Sequence, residues 1–425
     1  MKLSVYVTLP DASQVLAGTL DFGDVFPGVD YATTFTYSKS WLSHSAYFPL
    51  DPGSLNPATN PSKDNACFKS PHSLTRPLQV FHDSLPDDWG HRLLVRQRKL
   101  IGVRQQPPYL LREIGENSLG ALSFFEPKVK PISKSTHAER VIDLNDLIDA
   151  AERFETGDEN LDPEMERLFA AGSTPGGARP KVLAQSDNTH WIAKFPSKNK
   201  DNNLDVVGLE GACMRLALNA GLNVAAVRIE LFPKGNVLLV ERFDVTKQNG
   251  RNHMISLRTL CNERPGAVVL TYKEVMEEIK KRSVHPQDDV AMFFRQMTFN
   301  AVIGNTDDHL KNFAMIHDSE GYKLSKAFDL VPDVQDNKHH TLFFNMNGFT
   351  SGPELVDIGK SWEVKDAQQI VVEVCDAAMA FSSIAQLLKV EPGSIDKIAP
   401  GIEKRSCEYL TGISARTSKR RSVPA

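Results

Sequence analysis

The sequence predicts an α+β protein in three stretches: a small α/β module, a strand-rich middle and a mainly helical C-terminal half. Three observations carry this. Apolar residues alternate from Leu3 to Leu9, the period of a half-buried strand. Short apolar runs flank Ser186-Asp187-Asn188, and others flank Pro233-Lys234-Gly235-Asn236, so two hairpins are expected. Beyond residue 270 the spacing becomes helical, as in Val290, Phe293, Phe294, Met297 and Val302.

The first stretch, residues 1–130, has a second strand signal at Phe35-Thr36-Tyr37 and a loop rich in Asn, Pro and Ser from Asn56 to Lys63. The run Phe81 to Gly90 precedes a helix reaching Arg98, and Gly120 to Phe124 is a closing strand. Residues 128–138 read as a linker. In the second stretch, residues 140–245, Val141 to Phe154 has helical spacing and Ala170 to Lys181 reads as a loop. Asp205 to Ala220 is a helix with Val206, Leu209, Cys213, Leu216 and Ala217 on one face and Gly221 just past its end. In the third stretch, residues 246–425, a helix from Asp289 to Ile303 stops at Gly304, and further helices cover 365–389 and 393–413. Strand-rich lobe, hinge and helical lobe follow in the order of a protein-kinase-like fold.

With 425 residues there is room for one two-lobed enzyme carrying an added module. A net charge of −4 argues against a wholesale nucleic-acid binder, which needs a basic face. Cys67, Cys213, Cys261, Cys375 and Cys407 are scattered and form no CxxC pair, so neither a disulfide framework nor a zinc site is expected. The N-terminal MKLSVYVTLP has no long apolar core, and no run approaches the roughly 18 apolar residues of a membrane span. A cytoplasmic protein without a membrane partner is expected.

The strongest chemical signal is Gly304-Asn305-Thr306-Asp307-Asp308-His309-Leu310-Lys311-Asn312-Phe313, followed by Phe328-Asp329-Leu330. Phosphoryl transfer needs a carboxylate to orient the attacking hydroxyl and oxygen ligands for Mg²⁺. Kinase catalytic loops supply an Asp, an Asn five residues on, and a further Asp after a hairpin. Asp307 and Asn312 have that spacing, and a hairpin turning at Asp318 to Gly321 would deliver Asp329. Taken alone, Asp307 and Asp308 would as readily cap a helix. The spacing, the hairpin and Asp329 together favour a phosphate site.

Three upstream elements fit the same order. Gly176 and Gly177, ahead of Lys181, would let backbone N–H groups approach phosphate, although the loop matches neither standard phosphate-binding glycine pattern. Lys194 stands inside the apolar strand Trp191 to Phe195, and Glu210 in the next helix is the well-placed carboxylate to pair with it. The alternative is an edge-strand lysine with its head in water. Glu241 and Phe243, at the end of the second hairpin, fall where a hinge would present backbone groups to adenine.

In order, these segments resemble the HipA family of bacterial Ser/Thr kinases, the toxins of HipBA-type toxin–antitoxin pairs, over nearly the whole chain. Ser84 to Gly90 and Gly120-Ala121-Leu122 resemble parts of the family's N-terminal domain, Gly176 to Lys181 its glycine-rich loop, and Asn305 to Asn312 with Phe328-Asp329 its catalytic signature. The resemblance implies Asp307 as catalytic base, Asn312 and Asp329 as Mg²⁺ ligands, Lys194 on the ATP phosphates, Glu241 and Phe243 at the adenine, and His309 as a brace for the catalytic loop. It also implies an autophosphorylated serine in the glycine-rich loop. Here Thr174 falls at that position, with Ser173 immediately before it. Implied partners are a protein substrate such as an aminoacyl-tRNA synthetase and a HipB-like DNA-binding antitoxin, with no direct sequence-specific DNA binding. Two other readings stand beside it: a small-molecule kinase of the same fold, and a nucleotide-binding co-repressor scaffold.

Overall fold

Strand β1 (Lys2–Thr8) buries Leu3, Val5 and Val7 on one face, as its alternation requires. It pairs antiparallel with β2 (Gln14–Phe22), which pairs with β3 (Thr33–Tyr37). The short helix α1 (Lys39–Leu42), strand β4 (Cys67–Ser70), helices α2 (Asp88–Gln97) and α3 (Pro107–Ile114) and strand β5 (Leu122–Phe125) follow. The sheet runs β4-β3-β2-β1-β5. Phe35, Phe81 and Phe124 fill its core, with Phe35 and Phe81 ring centroids 4.9 Å apart. This computed structural model describes the chain except residues 27, 61–63, 71–77, 130, 132–137, 159–161, 174–175, 263–269, 335–338, 346–349 and 422–425. Thr174 and most of the stretch read as a linker therefore lie outside the described residues.

The second body holds β6 (Glu139–Arg140), α4 (Leu144–Glu155), α5 (Pro163–Gly172), β7 (Lys181–Ser186), β8 (Thr189–Lys194), α6 (Val206–Asn219), β9 (Val227–Phe232) and β10 (Gly235–Glu241), with sheet order β6-β7-β8-β10-β9. Asp187 (φ 48°) and Asn188 (φ 62°) are both left-handed, the geometry that closes a two-residue hairpin on a right-twisted ladder. Asp205 caps α6 by accepting from the Gly208 N–H at 2.9 Å, and Gly221 (φ 78°) follows its end. One boundary shifts. The stretch from Ala170 to Lys181, expected as loop, begins as the last turn of α5, because Met165, Leu168, Phe169 and Ala171 bury one helical face against α4 and β7. The loop starts at Ser173.

The third body opens with β11 (His253–Ser256), α7 (Leu257–Leu260), α8 (Tyr272–Arg282) and α9 (Pro286–Ile303). A hairpin of β12 (Ala314–His317) and β13 (Tyr322–Leu324) completes a small sheet with β11, and α10 (Gly352–Ser361), α11 (Ala367–Ala378), α12 (Phe381–Leu387) and α13 (Pro392–Arg421) finish the chain. Helix α9 is central, with Phe293, Phe294, Met297 and Phe299 fully buried against α8, α11 and α13. The helix expected over 365–389 is broken at Met379–Ala380 by a 46° bend, which lets both Val374 and Phe381 reach the core. No single helix among the described residues is long and apolar enough to cross a membrane.

Candidate active site

The end of α9 sets the first wall of the site. Gly304 takes a left-handed conformation (φ 71°), and Arg405 from α13 donates to the carbonyls of Val302 and Ile303, each at 2.8 Å. The chain is thereby turned into the loop Asn305 to Asn312. Asn312 donates its Nδ2 to the Asp307 carbonyl at 2.8 Å, closing that loop on itself. The Asp307 carboxylate is exposed to the cleft. Desolvation raises its pKa, the carboxylate of Asp329 adds to the rise, and His309 and Arg179 oppose it.

Its neighbour Asp308 points the other way and is fully buried. It accepts from the Tyr272 hydroxyl at 2.6 Å, the Thr341 N–H at 2.7 Å and the Leu342 N–H at 3.2 Å, and stands 3.0 Å from His340 Nδ1. Tyr272 accepts in turn from Asn300, which accepts from Asn305. A buried chain of polar groups thus fixes the loop from behind. His309 was expected to brace the loop. Its Nε2 lies 3.7 Å from the Asp307 carboxylate and the residue lines the cleft, whereas the hydrogen bonds behind the loop are made by Asp308.

The opposite wall comes from β8 and α6. Lys194 Nζ sits 2.6 Å from Glu210 and 2.5 Å from Asp329. Burial works against all three charges, yet the two carboxylates keep the ammonium firmly protonated, and Lys194 with Lys181 holds Asp329 well below the usual carboxylate range. Glu210 moves up, because burial outweighs the help from Lys194. Asp329 adopts φ 58°, an uncommon left-handed conformation for a residue with a side chain. The β12–β13 hairpin delivers it, as the spacing in the sequence led one to expect.

Lys181, at the start of β7, is 7% exposed and lines the cleft, and its ammonium makes no hydrogen bond or ion pair among the described residues. Desolvation and the neighbouring Lys194 lower its pKa to about 8. A buried ammonium without a partner is costly.

These walls enclose a cavity of about 290 Å³. Gly176, Gly177, Lys181, Lys194, Glu210, Asp307, His309, Asn312 and Asp329 all line it. Glu241 and Phe243 do not. Phe243 stands behind Phe328, ring centroids 5.8 Å apart, and it is Phe328 that reaches the cavity. Beside them, Asp244 holds Arg242 in a buried pair at 2.6 Å and accepts the Gly120 N–H of the first body at 2.8 Å. Ser173 is the C-cap of α5 and only 6% exposed. Asp83, Asp87 and Lys311 also line the cavity and were not singled out from sequence. The one available signal was the density of acids in Phe81 to Gly90, which reads equally well as a helix start.

A strand-rich body and a helical body meet at this cleft, with a lysine, a helix glutamate and two aspartates converging on it. That is the architecture of a kinase-like α+β fold. The chain belongs to the HipA family: models of the HipA N-terminal domain and of the HipA-like C-terminal domain match residues 13–125 and 173–381. Among its relatives, "Putative kinase Y4mE" of Sinorhizobium fredii is 27% identical over 326 residues, covering 71% of this chain and 72% of that protein. The serine/threonine-protein kinase toxin HipA of Shewanella oneidensis is 24% identical over 337 residues, covering 71% of this chain and 70% of the relative. A solved toxin–antitoxin complex of HipA, HipB and operator DNA from Shewanella oneidensis matches in fold, with TM-score 0.67 at 19% identity over 96% of this chain and 97% of the other.

Proposed function

We propose that the chain is an ATP- and Mg²⁺-dependent serine/threonine protein kinase, the toxin of a toxin–antitoxin pair. The observation that carries this is Lys194, held at 2.6 Å from Glu210 and 2.5 Å from Asp329 on the cavity that Asp307 and Asn312 also line. The donor set fits the nucleotide and its cation. Asp329 and Asn312 offer hard oxygens, and no group of three His, Cys, Asp or Glu side chains gathers among the described residues. Such sparse protein ligation suits Mg²⁺, which keeps waters and shares phosphate oxygens. Lys181 and Lys194 suit the phosphates themselves.

When bound, ATP supplies the phosphoryl group and Mg²⁺ neutralises its charge. The residues of this chain do the positioning. Asp307 takes the proton of the acceptor hydroxyl, aided by a pKa raised toward its task. Asn312 spends its Nδ2 on the loop and keeps Oδ1 for the cation. Lys194, oriented by Glu210, grips the α/β-phosphates. Glu241 and Phe243 do not line the cavity, and the Glu241 N–H is bonded to the Ala226 carbonyl at 2.8 Å, so a place for them at the adenine has only the family resemblance behind it.

The acceptor we favour is a translation protein such as an aminoacyl-tRNA synthetase, and the restraining partner a HipB-like DNA-binding antitoxin in the cytoplasm. Family resemblance alone supports the acceptor; the antitoxin is supported also by the fold match to a complex of HipA, HipB and operator DNA. A phosphate on Ser173 or Thr174 would add about −1.5 to −2 charges beside the ATP phosphates and switch the enzyme off. Ser173 has to leave its buried position first. A co-repressor scaffold has no use for Asp307, and a small-molecule kinase would share the whole site. The test is incubation with γ-labelled ATP, Mg²⁺ and a cell lysate, beside Asp307→Ala. Labelled lysate proteins with the wild type alone are expected; unlabelled proteins in both sink the protein-kinase reading.

A further inference from the structure

The segment Asp83 to Trp89 belongs to the first body by sequence, yet it spends its polar atoms on the other two. Asp83 accepts from the Ser256 N–H at 2.8 Å and from its hydroxyl at 2.7 Å, which anchors the segment on β11. Asp87 accepts from the Gly177 N–H at 3.0 Å and from the ammonium of Lys311. Trp89 seals the same loop: its N–H donates to the Gly177 carbonyl at 3.1 Å and its indole Nε1 to the Lys181 carbonyl at 3.0 Å. The approach is close enough that a Cβ on Gly176 would stand 2.9 Å from the Asp87 carboxylate, and Gly177 has φ 103°.

Glycine-rich segments open at low free energy unless other elements hold them. A loop ordered beforehand loses less entropy when ligand arrives, and the difference appears as affinity. Lys311 sits one residue before Asn312. One carboxylate therefore ties the glycine-rich loop to the catalytic loop.

We propose that Asp87 is a positioning residue that holds the glycine-rich loop in register with the catalytic loop, so that the N-terminal body completes the nucleotide site of the other two. The proposal rests on the nucleotide reading of the cleft. Although burial opposes its charge, Lys311 keeps the Asp87 pKa low, so the clamp is ionised at neutral pH.

The test uses the full chain with Asp87→Asn, Asp87→Ala, Lys311→Met and the double variant Asp87→Ala/Lys311→Met. Asp87→Asn keeps an oxygen for Gly177 and removes the charge; Asp87→Ala removes both. Asp87→Ala is expected to raise the KM for ATP about tenfold with a smaller effect on kcat, Asp87→Asn less, and the double variant no more than Asp87→Ala alone. Amide hydrogen exchange should quicken over residues 176–181 and leave β1, β2 and α9 unchanged. Unchanged exchange at 176–181 overturns the clamp, as do additive losses in the double variant or faster exchange throughout the chain. A wild type that turns over no ATP but keeps its loop protected by Asp87 would fail the kinase reading and leave the clamp standing. ATP turnover indifferent to Asp87 would do the reverse.

Discussion

Asn312 donates its side-chain amide to the carbonyl of Asp307 at 2.8 Å, so the residue assigned to the cation also sets the position of the residue assigned to the proton. The two roles can be separated. Asn312→Asp keeps an oxygen for the cation and loses the donor, whereas Asn312→Ala loses both. Asn312→Ala should lower the transfer rate about a hundredfold or more, and Asn312→Asp should raise the Mg²⁺ needed for half-maximal rate less than Asn312→Ala does. Initial rates over a Mg²⁺ series check this.

Asp307→Asn should abolish most activity while leaving the fold intact. Its carboxylate is exposed to the cleft and makes no strong structural bond, so loss of the base costs rate, about 10² to 10⁴-fold, and not stability. The wild-type rate should fall as pH drops through a pKa raised from the usual aspartate range, because desolvation and Asp329 raise Asp307 and only its ionised form accepts the proton. A pH–rate profile whose acid limb lies at or below that range contradicts the assignment.

Much of this site was legible in the sequence because its residues are spaced by local structure. Asp307 and Asn312 share one loop, and Lys194 and Glu210 lie on a strand and the helix that follows it. The hairpin at Asp187-Asn188 was legible for the same reason: two residues that tolerate left-handed backbone join two apolar runs. Asp87 and Asp308 were not legible. Asp87 meets Gly177 across 90 residues, and Asp308 meets His340 across 32. Nothing local distinguishes a carboxylate bound to a distant N–H from one that caps the next helix. Helix α5 was missed because prolines and glycines nearby signal loop more loudly than four apolar residues signal a helical face.

Nucleotide affinity should weaken as pH rises through about 8, the value to which burial and Lys194 lower Lys181. The bound phosphates favour the charged amine, so above that pH binding must take up a proton. The groups around it point the same way at neutral pH, since Lys194 stays protonated and Asp329 and Asp87 stay ionised. Stability moves oppositely. A lysine whose pKa is lower folded than unfolded destabilises the fold while charged, so stability should rise from about pH 8 toward 10.5. Titration of ATP binding between pH 7 and 9 checks the first claim, and Lys181→Met should flatten the slope.

The buried brace behind the loop makes a prediction about stability. Asp308→Ala strands the buried Tyr272 hydroxyl and the buried N–H of Leu342 without their acceptor, and frees the N–H of the exposed Thr341. Each orphaned donor is expensive, and the cost of removing one partner from a buried charged network is about 3–5 kcal/mol. Tyr272→Phe removes a single link, leaving Asp308 three other partners and Asn300 without its acceptor, and should cost about 1–2 kcal/mol. Urea unfolding should rank the variants in that order. Because the same network fixes the backbone on which Asp307 stands, Tyr272→Phe should also slow transfer well below the effect of Asp307→Asn. An Asp308→Ala variant as stable as wild type would show that the chain from Asn305 to His340 does not hold the loop.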